Sequence, residues 1–133
     1  MTDHAPGFTI AVVDDDRRIL ESLKNLLESA DYAVRSFASA AALLESDCLA
    51  EIDCLISDID MPGKDGFELL RVVRAARPEL PIILITGHPE MLSRLPPIGP
   101  GHYRLFKKPF DGEELLTAVS DVLRNPQLRS SES

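Results

Sequence analysis

The chain has 133 residues, of which 44% are hydrophobic and 27% charged, and its formal net charge is −8 at pH 7. This length fits about one domain, the composition is typical of a soluble globular protein, and no apolar stretch approaches the roughly 20 residues that span a bilayer. The negative charge disfavours direct nucleic-acid binding, and the N-terminus lacks a secretory signal pattern, so we expect a cytoplasmic protein that does not associate with membranes.

The first third of the chain predicts two βα units, with strands over residues 9–13 and 33–37. The segment after the first strand carries one apolar stripe at helical spacing, and Asp15 or Asp16 is expected to cap that helix. Ser39 is expected to cap a short, alanine-rich helix after the second strand. Apolar runs of strand length thus alternate with helical segments, as in a parallel sheet covered by helices.

The middle of the chain predicts two further strands, over residues 54–57 and 82–85. Asp65 is expected to cap a helix over residues 66–77 between them. Residues 96–101 include three prolines and two glycines, which do not sustain a long helix. We therefore predict an atypically short fourth helix after the fourth strand.

The last unit consists of a predicted strand over residues 103–107 and a helix that Asp111 caps. We expect a single domain over residues 8–124, with flexible termini at 1–7 and 125–133. The alternation of strands and helices throughout predicts an open α/β layer structure with no second domain.

Polar residues follow four of these apolar runs, at the point where each strand ends. In open doubly wound sheets, ligands bind beyond the carboxyl ends of the strands. Any single polar residue there could simply make a strand end soluble, but the ordered combination predicts a functional site. The residues at these strand ends, in chain order, are Asp14, Asp15 and Asp16, then Asp58, then Thr86, then Lys107, Lys108 and Pro109.

Carboxylates gathered at one edge repel each other unless a cation neutralises them, and carboxylate oxygens suit Mg²⁺ or Mn²⁺. We therefore predict a divalent ion among Asp14, Asp15 and Asp58. Such an ion can bridge one phosphoryl oxygen while Lys108 and the Thr86 hydroxyl hold the other two, as phosphoryl transfer requires. Asp58, a carboxylate at a strand tip, can serve as the nucleophile and form an aspartyl-phosphate.

Four motifs, over residues 12–16, 56–66, 85–87 and 107–110, make the chain resemble a receiver domain of the two-component response-regulator family, like the chemotaxis receivers. The resemblance extends over roughly residues 8–124. It implies a flavodoxin-like fold with a five-stranded parallel sheet in the order 2-1-3-4-5. It also implies that Asp58 accepts a phosphoryl group from a histidine kinase or a histidine phosphotransfer protein, by self-catalysed phosphorylation and dephosphorylation rather than enzymatic turnover.

The resemblance also implies a set of Mg²⁺ ligands. Asp15 and Asp58 would bind the ion through their side chains, Asp60 through its main-chain carbonyl and Asp14 through water. Since three aspartates stand in a row, the apolar run that ends at residue 13 favours Asp14 and Asp15 for this role. Asp16 is then the helix cap.

The same family places a switch hydroxyl at Thr86 and a lysine that bonds the phosphoryl group at Lys108. It usually has an aromatic residue three positions before that lysine, where this chain has Leu105. Tyr103, which lies on the same strand face, is a candidate replacement. The proline-rich segment over residues 96–101 falls on the usual signalling and dimerising face, so we expect an altered output surface.

The family resemblance implies partners in addition to the kinase or phosphotransfer protein. With no second domain visible, we expect the chain to act on a downstream protein target in trans, to relay the phosphoryl group, or to be part of a longer regulator. A homodimer is compatible with the resemblance. His88, two residues beyond Thr86, is expected to influence the lifetime of the phosphoryl group.

Two other functions compete with this interpretation. The Asp58-Ile59-Asp60 segment resembles the D-x-D nucleophile motif of haloacid-dehalogenase-type phosphohydrolases. That motif normally lies on the first strand of a longer chain with a cap domain, whereas Asp58 lies on the third predicted strand. The other alternative is a degenerate receiver that serves as an unphosphorylated interaction module, although all four chemical roles are filled here.

Overall fold

A computed structural model describes residues 8–60, 65–88 and 103–124 of the chain. Strands and helices alternate along these residues. The strands are β1 (Thr9–Val13), β2 (Ala33–Phe37), β3 (Cys54–Asp58), β4 (Ile82–Thr86) and β5 (Tyr103–Lys107). The helices are α1 (Arg17–Ser29), α2 (Ala40–Glu45), α3 (Asp65–Ala76) and α4 (Gly112–Arg124), and a 3₁₀ turn (Cys48–Ala50) follows α2.

The five strands form one parallel sheet in the order β2-β1-β3-β4-β5. This order confirms the predicted flavodoxin-like doubly wound architecture. The chain winds outward from β1 to β2 in one direction and from β3 to β5 in the other, so the strand order reverses between β1 and β3. Ligand sites of such sheets lie beyond the carboxyl ends of the strands at that point of reversal.

The strand register brings two aspartates to the point of reversal. Val13 of β1 pairs with Ser57 of β3, so the residues that follow them, Asp14 and Asp58, lie side by side at the carboxyl edge. Asp58 is also in register with Ile85 of β4 on its other side. The position of both carboxylates thus follows directly from the pairing of three central strands.

Helices cover both faces of the sheet, because alternate residues of each strand point to opposite faces. The face under α2 and α3 buries Ala11, Val13, Leu43, Leu55, Leu69, Leu70, Val73 and Leu84. The face under α1 and α4 buries Ile10, Val12, Leu23, Leu27, Ile56, Ile83, Leu115 and Val119. With both faces covered, β3 and β4 are buried along their whole length. The only side chains of these strands that can meet a ligand are therefore those at their ends.

Side-chain caps fix the start of three helices near the same edge. Asp16 caps α1, since its Oδ1 accepts a hydrogen bond of 2.9 Å from Arg18 N, and this decides between the two predicted caps, Asp15 and Asp16. The predicted caps at Ser39 and Asp111 are confirmed as well. Each cap satisfies a backbone N–H that the first turn of a helix leaves unpaired.

The structure differs from the predicted elements in small ways. β3 and β4 each extend one residue further, to Asp58 and Thr86, because the backbone pairing of the sheet continues to these positions. Helix α3 begins at Asp65 itself and ends at Ala76. The predicted short helix between β4 and β5, including residues 96–101, lies outside the described residues. Among the helices that are described, none is long and apolar enough to cross a membrane.

Candidate functional site

Asp58 ends β3 with its side chain almost completely buried and held on both oxygens. Asp58 Oδ1 accepts a hydrogen bond of 2.8 Å from the main-chain N of Asp60. Asp58 Oδ2 accepts one of 3.1 Å from Nζ of Lys108. The first bond closes a tight turn directly after the strand, of the kind in which an aspartate binds its own backbone two residues on. The orientation of the carboxylate is therefore fixed by the strand end, the turn and the lysine.

Three carboxylates lie together at the edge where β1 and β3 end. One ligand oxygen each of Asp14, Asp15 and Asp58 lies within 4.8 Å of the others. Asp14 and Asp58 are buried, while Asp15 is exposed to solvent. Asp14 Oδ1 accepts a hydrogen bond of 2.8 Å from Asp16 N, which orients it at the start of α1. The cluster is thus buried on one side and open on the side of Asp15.

Asp14 is the member of this cluster whose negative charge is most opposed by its surroundings. Its Oδ2 atom is buried and accepts no hydrogen bond from the residues that the structure describes, and Lys108 Nζ lies 3.7 Å from it. Burial raises the pKa of Asp14 from 3.8 to about 6; the Asp16 hydrogen bond opposes this rise and the nearby charge of Asp58 adds to it. A buried, unbonded oxygen beside two further carboxylates fits a hard cation that takes oxygen ligands. The residues present therefore suit the divalent ion that the sequence predicts.

Lys108 reaches the cluster from the end of β5. Thr86 of β4 is in register with Lys107, and Lys108 N donates a hydrogen bond of 2.8 Å to Thr86 O, so the lysine leaves the sheet beside β4. Its peptide bond to Pro109 is cis. Burial lowers the pKa of Lys108, but the hydrogen bond to Asp58 and the negative charges around it outweigh this and raise the pKa overall. Lys108 is therefore a permanent positive charge at the site.

Thr86 ends β4 fully buried, and its hydroxyl is already engaged. Thr86 Oγ1 donates a hydrogen bond of 2.7 Å to Asp60 Oδ1 and accepts one of 2.8 Å from His88 N. The next main-chain N, of Gly87, donates a hydrogen bond of 2.6 Å to Asp60 Oδ2. The Asp60 carboxylate thus bridges the turn after β3 to the end of β4.

The structure brings Asp14, Asp15, Asp58 and Lys108 into one site and joins Thr86 to it through Asp60. The part played by the Asp60 side chain was not predicted from the sequence, which assigned only its main-chain carbonyl. The sequence signal that could have indicated it is the second carboxylate, two residues after Asp58.

Leu105 occupies the strand position where an aromatic residue was expected by resemblance. It is partly buried and packs against the core face under α2 and α3. The Tyr103 side chain lies outside what the structure describes, so its role as a replacement stays a prediction. The His88 side chain is exposed, and the main-chain N of His88 donates the hydrogen bond to Thr86 Oγ1 given above.

Comparison with known proteins finds a family and several relatives that this chain resembles. Residues 10–120 match the family described as response regulator receiver domain. The response regulator protein TodT of Pseudomonas putida is 36% identical over 132 residues, which are 98% of this chain and 57% of TodT. The signal receiver domain of an HD domain-containing protein from Pseudomonas fluorescens Pf-5 is 31% identical, with a TM-score of 0.78 over 92% of this chain and 98% of that one.

A further solved relative was captured in an activated form. The BeF3-activated receiver domain of DrrB, a Thermotoga maritima protein, is 29% identical, with a TM-score of 0.73 over 88% of this chain and 97% of that one. The present chain spans little more than half the length of TodT. The family match covers most of the chain, and the fold and strand order agree with it. The chain therefore belongs to the response regulator receiver domain family.

Proposed function

We propose that this chain is the phosphoacceptor of a two-component phosphorelay, in which Asp58 takes a phosphoryl group from a histidine kinase or a histidine phosphotransfer protein. The observation that carries the proposal is the position of the Asp58 carboxylate. It lies at the strand reversal, 3.1 Å from the Lys108 ammonium and within 4.8 Å of ligand oxygens of Asp14 and Asp15. A nucleophile, a fixed cation and a cation-binding cluster are thus supplied at one point.

We assign the metal site to Mg²⁺ or Mn²⁺. Asp15 and Asp58 would hold the ion by their side chains, Asp60 by its main-chain carbonyl, and Asp14 through water. The bound ion would supply positive charge that offsets the carboxylates and the charge on a phosphoryl oxygen. Support for the site comes from Asp14 Oδ2, to which no described residue donates a hydrogen bond, and from the raised pKa of that buried carboxyl.

The proposed reaction transfers the phosphoryl group from nitrogen to oxygen. One oxygen of Asp58 attacks phosphorus, the P–N bond to the donor histidine breaks, and the imidazole nitrogen leaves with the electron pair and takes a proton from solvent. Lys108 then bonds one phosphoryl oxygen and the hydroxyl of Thr86 another. Because Asp58 is held on both sides before the reaction, little reorientation is required for attack.

We propose that residues 8–124 form the receiver domain and that its phosphorylated state is the signal. That state would act on a downstream protein in trans or pass the phosphoryl group onward. The chain itself would turn over no external substrate beyond its own phosphorylation and the hydrolysis of the aspartyl-phosphate. The curated relative TodT, named a response regulator protein, supports a regulatory output of this kind.

The phosphohydrolase alternative is disfavoured by the strand on which Asp58 lies and by the contacts of Asp60 before phosphorylation. In a D-x-D enzyme the second aspartate must be available to exchange a proton with the leaving group. Here both oxygens of Asp60 accept short hydrogen bonds, one from Thr86 Oγ1 at 2.7 Å and the other from Gly87 N at 2.6 Å. In the unphosphorylated protein its carboxylate is therefore engaged with β4. Asp58 also ends the third strand, whereas the D-x-D motif normally lies on the first strand.

Intact-mass measurement after incubation with acetyl phosphate and Mg²⁺ tests the proposal. We expect the gain of one phosphoryl group, lost when Mg²⁺ is chelated and absent in Asp58→Asn. Asp111→Asn is the matched control, because it makes the same substitution at a helix cap where asparagine serves equally well. A folded wild-type protein that gains no phosphoryl group would instead indicate an unphosphorylated interaction module.

A further inference from the structure

The hydrogen bonds from the Thr86 hydroxyl and from Gly87 N to the Asp60 carboxylate are here called the resting contact. We propose that Asp60 is a positioning residue: the resting contact holds Thr86 in the unphosphorylated state and must break when Asp58 is phosphorylated. The inference rests on the proposed function, since it requires a phosphoryl group on Asp58. It assigns to the side chain of Asp60 a role separate from metal binding by its carbonyl.

The single proton of the Thr86 hydroxyl limits the acceptors that Thr86 can bond at one time. A threonine hydroxyl has one O–H to donate, with lone pairs that only accept. In this structure that proton lies between Thr86 Oγ1 and Asp60 Oδ1, which are 2.7 Å apart, while His88 N donates to the same oxygen. Thr86 cannot donate to a phosphoryl oxygen and to Asp60 at the same time. The two acceptors therefore compete for one donor.

The resting contact consists of two short hydrogen bonds to a carboxylate. Hydrogen bonds to an ionised carboxylate are shorter and stronger than those between neutral groups. Both bonds of Asp60 are short, at 2.7 Å from Thr86 Oγ1 and 2.6 Å from Gly87 N, and the second fixes the backbone directly after Thr86. Asp60 thus holds both the hydroxyl and the turn that carries it. After phosphorylation of Asp58, a phosphoryl oxygen must therefore replace the Asp60 carboxylate, which is also anionic, as the acceptor of the Thr86 proton.

Asp60 connects the phosphoacceptor Asp58 to Thr86. Its main-chain N donates to Asp58 Oδ1 at 2.8 Å, while its side chain crosses to the end of β4. Among the described residues, the cluster of candidate metal ligands comprises Asp14, Asp15 and Asp58, and does not include Asp60. The turn from Asp58 to Asp60 is therefore a direct covalent and hydrogen-bonded link from the phosphoacceptor to the switch hydroxyl.

A simpler role for Asp60 would be electrostatic, because its negative charge opposes any anion that binds near Asp58. The two roles predict different couplings. A purely electrostatic effect of removing Asp60 is the same whether or not Thr86 has a hydroxyl. An effect that passes through the resting contact requires that hydroxyl. A double-mutant cycle between Asp60 and Thr86 separates them.

The experiment measures the affinity of the full chain for beryllofluoride, a phosphoryl analogue, in the presence of saturating Mg²⁺. We expect Asp60→Ala to raise this affinity by about tenfold in the wild-type background, since a hydrogen bond to a charged group no longer has to break. In the Thr86→Val background we expect a gain below about threefold. Asp60→Asn, which keeps an acceptor for Thr86 and the size of the side chain, should give a smaller gain than Asp60→Ala and is available if the alanine variant does not fold.

A charge control and a second readout complete the test. Asp16→Asn removes one negative charge at the same sheet edge without contact to Thr86. It should change the affinity for beryllofluoride only slightly, and by the same factor in the wild-type and Thr86→Val backgrounds. Without any ligand, three-bond couplings to the Thr86 methyl carbon should report one side-chain rotamer in the wild type. In Asp60→Ala they should report a larger share of the other rotamers, because the hydroxyl keeps its bond from His88 N but has lost its acceptor.

The outcomes distinguish this inference from the proposed function. Equal gains from Asp60→Ala with and without the Thr86 hydroxyl, or an unchanged Thr86 rotamer in Asp60→Ala, would overturn the resting contact alone. Failure of the folded wild type to bind beryllofluoride would overturn both. A gain that depends on Thr86, together with release of its rotamer, would establish Asp60 as the residue that holds the switch at rest.

Discussion

Lys108 Nζ lies 3.1 Å from Asp58 Oδ2 and so joins two residues that are 50 positions apart in the chain. The contact links the ends of β5 and β3 across the intervening strand β4. It also places the ammonium 3.7 Å from Asp14 Oδ2. Lys108 therefore offsets part of the negative charge of the buried carboxylates before any cation binds.

Removal of this ammonium should lower the stability of the metal-free protein. We expect Lys108→Met to reduce the free energy of unfolding by about 1–3 kcal/mol, because it leaves the buried Asp58 oxygen without its charged partner. Urea unfolding at neutral pH with chelator present measures the change. Lys107→Met is the matched control, since that side chain is exposed, and it should change the stability by less than about 0.5 kcal/mol. Equal losses in the two variants would contradict the assignment.

The raised pKa of Asp14 predicts an unusual pH dependence for the metal-free protein. The folded state holds the Asp14 proton up to about pH 6, whereas the unfolded chain releases it near 3.8. The contribution of Asp14 to the free energy of unfolding is therefore fully present below pH 3.8, the pKa of the unfolded chain. As the pH rises from there through about 6, the free energy of unfolding falls by up to about 3 kcal/mol.

Asp14→Asn removes that titrating group and should remove this loss. Chelator-treated Asp14→Asn is expected to be more stable than the wild type at pH 7.5, and the difference should shrink toward pH 4. Chemical denaturation across this range measures both proteins. A variant that is less stable than the wild type at pH 7.5 would show that the buried Asp14 charge does not destabilise the metal-free protein.

Addition of Mg²⁺ should stabilise the wild type, because a ligand that binds only the folded state shifts the unfolding equilibrium. At a concentration 100 times the dissociation constant, the expected gain is about 2.7 kcal/mol. Thermal unfolding with and without Mg²⁺ measures it. The gain should be largely lost in Asp15→Asn.

Asp16→Asn is the control for that series, since it changes a neighbouring aspartate that caps α1 and asparagine is an equally good cap. It should retain the full stabilisation by Mg²⁺. If the Asp16 variant lost the effect and the Asp15 variant kept it, the assignment of the metal ligands would be displaced by one position.

The proposed domain limits predict that the ends of the chain are dispensable. Removal of residues 1–7 and 125–133 should change the Tm by no more than a few degrees and leave the yield of phosphorylation unchanged. Calorimetry and intact mass on the shortened and full chains provide the comparison. A large loss of Tm would show that the folding unit extends beyond residues 8–124.

Much of the site could be predicted because chemistry-bearing residues stand directly after buried strands. Once the strand order is known, parallel pairing forces Asp14 and Asp58 to one edge, and Lys108 follows β5 to the same edge. The apolar runs fixed the strands to within one residue for the same reason, since a strand buried on both faces is continuously apolar.

The side-chain contacts of Asp60 could not be predicted in this way. Sequence spacing places Asp60 in the turn after Asp58 but does not say which donors its carboxylate meets. The resting contact depends on how that turn folds over β4, where Thr86 and Gly87 present an O–H and an N–H to the same side. The 3₁₀ turn over Cys48–Ala50 was missed too, because a single turn has no periodicity to detect.

The central claim is that Asp58 accepts a phosphoryl group from a donor with a P–N bond, as phosphohistidine has. The most direct measurement uses phosphoramidate as that donor with Mg²⁺ present, followed by borohydride reduction, which converts an aspartyl-phosphate to homoserine, and by peptide mass spectrometry. The account predicts homoserine at position 58, and none when Mg²⁺ is chelated. Homoserine at another aspartate, or none anywhere in the folded protein, would contradict it.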